Sequence, residues 1–308
     1  MLNRKIIFIS LMVFFSASVL PCFAGGSREG DNLLDDGKLR VYVSILPQRY
    51  FVEKIGGERV SVDVMVLPGR SPTTYEPTPN QVSAMSLADV FFLIGVPFEG
   101  AFVPKISESL RSLRIVDTSV GIKKRMLEAH VHEDEEGGHG AGDAEDGSVD
   151  PHIWLSPVLV KKQAEIIYNT LVEIDPESED EYTEGYSALL AELDTVHQEI
   201  DTILSPFRGS VLFVFHPSFG YFADEYGLRQ VAVELEGREP APSELMEIID
   251  HARESEAKII FAQPEFSRRS VQALADAIGG RVVVLNPLNP DYISNLREIA
   301  SEIRKAYK

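Results

Sequence analysis

Eight short runs of β-branched and aromatic residues, four on each side of one long helix-period stretch, constrain this chain most. The first four lie at 40–45, 60–67, 90–94 and 113–116, and the last four at 211–215, 230–233, 258–262 and 282–285. Helix-period segments at 48–55 and 80–87 alternate with the first set, and others at 219–226, 243–255, 267–277 and 292–307 with the second. Short, almost wholly apolar strands alternating with helices predict parallel sheets covered on both faces. Between the sets, after a helix at 157–173, Tyr182, Tyr186, Leu189, Leu193, Val196, Ile200 and Ile203 recur at steps of three and four. That helix, 180–204, would be about 37 Å long at about 1.5 Å per residue, enough to run from one domain to another. The expected fold class is therefore α/β: two βα lobes, each with a four-stranded mainly parallel sheet, joined by one long spine helix, with a ligand cleft between the lobes. The expected boundaries are 38–178 for the first lobe, 179–207 for the spine and 208–308 for the second. A single helical spine permits only modest lobe closure.

Two features outside the lobes bear on location. Asn3-Arg4-Lys5, an apolar run at 6–20 and small residues after it read as a secretory signal with cleavage after Ala24. The apolar run is shorter than the roughly 20 residues of a spanning helix. Residues 25–37 read as a disordered leader. The one cysteine, Cys22, follows Val19-Leu20-Pro21, so a soluble periplasmic product is favoured over a lipid anchor at the outer face of a membrane. The formal net charge of −19 excludes nucleic acid and anionic membrane surfaces and favours cations as ligands.

The chemistry concentrates between His130 and Pro157. His130, His132 and His139 stand among eight acidic residues from Glu128 to Asp146, with no Lys or Arg between. Such a tract cannot bury surface, and 128–148 is expected to be a mobile loop that gathers metal weakly. It leads into Asp150-Pro151-His152-Ile153-Trp154-Leu155-Ser156-Pro157, where order returns beside the only tryptophan. On residue types alone, this combination fits a fixed metal ligand and an acidic surface insertion beside a core histidine about equally.

Strand ends separate the two readings. Thr73 follows the second strand, His216 the strand at 211–215, and Asn286 the strand at 282–285. Open α/β sheets bind ligands at the carboxyl ends of their strands. A capping or core role for His216 is the lesser reading. The spine histidine His197 and the C-lobe His251 read as surface residues.

The chain resembles, over 38–308, the solute-binding proteins of zinc and manganese ABC importers. The resemblance rests on four marks together: Ser71-Pro72-x-Thr74-Tyr75-Glu76-Pro77-Thr78-Pro79, Asp150-Pro151-His152-x-Trp154-Leu155-Ser156-Pro157, His216-x-x-x-Gly220-Tyr221-Phe222, and the spine helix. A His/acid loop before the Asp-Pro-His step is typical of the zinc-type members. The resemblance implies one metal ligand from each of four segments, of which His152 and His216 match two. Asp150 is expected behind His152, holding its other ring nitrogen. Where the family has histidine and aspartate, this chain has Thr73 and Asn286, neutral oxygens that are weak Zn²⁺ donors. Glu265, Glu234 and Glu236 are substitute donors to weigh against a role as solvated or ion-paired carboxylates.

The resulting expectation is an exported, monomeric, non-enzymatic receptor that captures a divalent cation, Zn²⁺ ahead of Mn²⁺ because imidazoles favour zinc, and delivers it to an ABC permease. One rival is a zinc hydrolase, but no His-Glu-x-x-His helix is present. The other is a weakly metal-dependent surface interaction protein of the same fold.

Overall fold

The computed structural model describes residues 37–127, 149–233 and 258–308, together with Met246, Ile249, Asp250, Ala252 and Arg253. The expected signal at 1–24, the expected leader at 25–37 except Gly37, and the histidine loop lie outside these residues. So do Glu234, Glu236, His251 and most of the helix expected at 243–255.

The first sheet contains β1 (Leu39–Val43), β2 (Val60–Val64), β3 (Val90–Leu93) and β4 (Arg114–Asp117), in the order β2-β1-β3-β4. All its pairings are parallel, with Val43 opposite Val64 and Phe92 opposite Val116. The helices of this half are α1 (Leu46–Gly56), α2 (Pro79–Met85) and α3 (Pro97–Ser109), followed by α4 (Pro157–Ile174). The α3 segment, for which no bounds were expected, begins on a proline and carries Pro104 inside, which obscures its period. The second sheet repeats the arrangement with β5 (Val211–Val214), β6 (Arg229–Ala232), β7 (Ile259–Ala262) and β8 (Arg281–Val284) in the order β6-β5-β7-β8, again all parallel. Its helices are α6 (Gly220–Tyr226), α7 (Arg268–Ala277) and α8 (Tyr292–Ala306). The expected two-lobed α/β class is what forms.

Between the sheets runs α5 (Glu179–Leu204), with Glu179, Asp180 and Glu181 in its first turn, where the positive end of the helix dipole favours them. Tyr182, Leu189, Leu193, Val196, Ile200 and Leu204 are fully buried along one stripe, which packs against α1, α4 and α8. One apolar core runs without a break from Val41 and Phe51 through this stripe to Val214, Tyr226 and Leu296. A second, smaller core around Phe215, Ile260 and Leu274 covers the other face of the second sheet. Because the lobes share their main core, opening them would expose apolar surface at about 25 cal/mol per Å².

The strand ends differ in detail from expectation. The second strand stops at Val64 rather than residue 67, since Val66 N–H bonds to Ser44 O and a turn at Leu67–Arg70 follows. His197 is not a plain surface residue: its Nδ1 lies 3.3 Å from Tyr226 Oη and 3.7 Å from Glu225 Oε1, against α6.

Candidate metal centre

In a sheet ordered 2-1-3-4, the crossovers leave in opposite directions from the two central strands, and the crevice opens beyond their carboxyl ends. In the second lobe these strands are β5 and β7. His216 follows β5 and Glu265 follows β7, so strand order brings together residues 49 apart in sequence. Gln263 joins them: its amide donates to His216 O at 2.9 Å and to Ser218 Oγ at 2.8 Å, fixing the backbone that carries the imidazole. Phe266 stacks on His216 with ring centroids 5.3 Å apart. In the first lobe, Val96 and Pro97, where the connection after β3 enters α3, contribute to the same cleft.

His152 arrives from the connection between β4 and α4, as the residue before a short 3-10 turn, Ile153–Leu155. Asp150 Oδ1 lies 2.8 Å from His152 Nδ1 and also accepts the His152 backbone N–H at 2.9 Å. A carboxylate only accepts, so Nδ1 carries a proton, and in the neutral imidazole that leaves the lone pair on Nε2. The segment is stitched to the second lobe at each step. Trp154 Nε1–H donates to Pro287 O at 2.8 Å, Tyr292 Oη to Trp154 O at 2.7 Å, and Tyr221 Oη to Asp150 O at 3.0 Å. These bonds explain the single tryptophan, Tyr221 and Tyr292 as residues that hold His152 against the facing lobe.

The outcome is a cleft lined by Thr73, His152, Trp154, His216, Glu265 and Phe266, among others. The imidazole centroids of His152 and His216 are 5.2 Å apart. Zn–N bonds of about 2.0–2.1 Å at a tetrahedral angle would set two rings about 5 Å apart. Glu265 is partly buried, and burial pushes its carboxyl up from 4.5 while His216 opposes the shift. Thr73 is exposed at the rim, its N–H 3.3 Å from Ser71 Oγ. Asn286 lines the adjoining cavity with Leu46, Val66 and Glu265; its Oδ1 accepts Leu288 N–H at 2.9 Å. Among the described residues, no three His, Cys, Asp or Glu side chains form a ready-made metal set.

Two parallel βα lobes on a shared helical spine, with a cleft at their strand ends, define a solute-receptor architecture. Residues 41–306 match the family described as zinc-uptake complex component A, periplasmic (ZnuA), and the chain belongs to it. The high-affinity zinc uptake system protein ZnuA of Bacillus subtilis is 28% identical over 281 residues, spanning 90% of this chain and 88% of the relative. The manganese-binding lipoprotein MntA of Halalkalibacterium halodurans is 27% identical over 285 residues, covering 90% and 87% respectively. A crystal structure of ZnuA matches with a TM-score of 0.79 at 39% identity, over 88% of this chain and 100% of that one. A zinc-bound deletion mutant of ZnuA matches at 0.78, also 39% identical, over 87% and 98%.

Proposed function

We propose that this protein is an exported receptor that captures Zn²⁺ between its lobes and presents it to an ABC import permease. The observation that carries this reading is the pairing of His152 and His216 at a 5.2 Å ring separation, one imidazole held by Asp150 and the other by Phe266 and Gln263. Zinc is preferred to manganese because two imidazoles dominate the donor set. Glu265, next to His216, is the carboxylate best placed to complete the site, with water in the remaining position. Asp150 stays behind His152 as its orienting partner. Thr73 and Asn286 are weak donors, the oxygen of the latter already taken by Leu288 N–H. The tract of His130, His132 and His139 gathers further ions weakly without building the main site. The family, its zinc-uptake relatives and the charge of −19 support export and a cation as cargo. The reading includes a monomer, with a soluble exported form favoured over a lipid anchor at Cys22.

Competition titration of the apo protein with Zn²⁺ and Mn²⁺ tests it, alongside His152→Ala and His216→Ala. Each variant should lose most of the zinc affinity. If the double variant holds Zn²⁺ as tightly as the wild type, the cleft is not the site.

A further inference from the structure

One arginine, which neither the motif nor the ligand set requires, is built into the back of the site. Arg125 lies at the first stem of the histidine loop. Its backbone O accepts Asp150 N–H at 2.9 Å, next to a bridge between Met126 and Val149. Tyr221 of α6 ties both stems down, accepting Arg125 N–H at 2.9 Å and donating to Asp150 O at 3.0 Å. The guanidinium lies over the Tyr221 ring, 5.9 Å from its centroid. Its Nε is 3.9 Å from Asp150 Oδ2 and 3.6 Å from Asp224 Oδ2. Gly220 makes the seat possible: a Cβ there would stand 1.7 Å from Arg125 Nη1 and 2.9 Å from Asp150 Oδ2.

Asp150 is 1% exposed. A buried carboxylate needs a counter-charge, and here Oδ1 is committed to His152 while Oδ2 faces the arginine. We infer that Arg125 is a positioning residue for the cargo ion: it fixes the Asp150 carboxylate so that His152 is held in the lone-pair orientation that binds metal, and it couples that ligand to α6 of the opposite lobe. Gly220 is the residue whose missing side chain admits the guanidinium. This inference rests on His152 being a ligand. Partners behind a metal-ligating histidine typically carry 10- to 100-fold of affinity.

The test is zinc competition titration of the whole exported chain carrying Arg125→Gln, Arg125→Lys, His152→Ala and the pair Arg125→Gln/His152→Ala. Glutamine keeps a packing stem over Tyr221 while removing the charge. Arg125→Gln should weaken zinc binding roughly 10- to 100-fold, and Arg125→Lys should recover only part, since an ammonium lacks the flat fork that fits over Gly220. In the His152→Ala background, Arg125→Gln should change the residual affinity by less than about twofold, because its effect runs through His152. Wild-type affinity for Arg125→Gln, or an equal loss in both backgrounds, overturns the inference and leaves Arg125 a packing residue. Unchanged affinity for His152→Ala alone overturns the metal-site reading first, and this inference with it. Should Arg125→Gln not fold, Gly220→Ala, which unseats the guanidinium without deleting it, is titrated instead and read by the same criteria.

Discussion

Gly185 sits in the interior of the spine helix, where glycine normally costs about 1 kcal/mol relative to alanine. Gly185→Ala should nevertheless destabilise this protein. A Cβ at 185 would lie 2.4 Å from Lys54 O and 2.6 Å from Ile55 O, at the carboxyl end of α1. Both are backbone atoms of a packed helix, and ordinary contact begins at 3.4 Å, so α1 and α5 must separate locally by roughly 1 Å. Overpacking of this kind costs about 2–3 kcal/mol, and the gain in helix propensity returns about 1. The net expectation is a loss of about 1–2 kcal/mol, a fall of a few degrees in Tm. Urea denaturation of the apo protein, followed by far-UV circular dichroism, measures it. Ser187→Ala, on an exposed turn of the same helix, is the control and should stay within about 0.5 kcal/mol of wild type. Gly185→Ala at or above wild-type stability would refute the close α1–α5 approach on which the shared core depends.

Thr73→His should strengthen zinc binding roughly 10- to 1000-fold, since position 73 faces the cleft and a third imidazole has room there. Asn286→Asp should add less, because an aspartate keeps the bond to Leu288 N–H and its charge acts from the adjoining cavity; competition titrations that find neither gain would mean the set is already complete. Glu99 is buried, and desolvation raises its carboxyl from 4.5 to about 7 against the bonds it accepts from Ile94 and Gly95 N–H. The folded state then holds more protons than the unfolded one between those values, so this group's contribution falls by roughly 2–3 kcal/mol from pH 5 to pH 8. Glu99→Gln should remove that part of the pH slope in denaturation experiments, and an unchanged slope would reject it. Deleting residues 130–139 should lower zinc stoichiometry while leaving the tight site intact; loss of tight binding would instead place a loop histidine among the ligands.

Most of the elements and their faces were legible in the residues alone, α3 with its internal proline excepted. Apolar runs flanked by helical periods can bury both faces only in parallel βα layers, and the three-and-four spacing from Tyr182 to Ile203 permits only a long one-sided helix. His152, His216 and Asp150 stood out because a strand end and the Asp-Pro-His step are local patterns, whereas Glu265 stood only beside Glu234 and Glu236 as a substitute donor, with a solvated or ion-paired role favoured for each. Tertiary structure decided what these residues face. Glu265 comes beside His216 only because β7 pairs with β5, a choice of strand order that no local pattern encodes. Asn286 looks equivalent to His216 in sequence, since each follows a strand. Leu288 N–H turns its oxygen aside, and β8 is an edge strand whose end opens on another cavity. Arg125, Gly220 and Tyr221 gain their meaning only when α6 of one lobe docks on the loop stems of the other, at sequence separations near 100. Local propensity fixes what a segment becomes, whereas a site assembled across two lobes depends on contacts that form only once the shared core has closed.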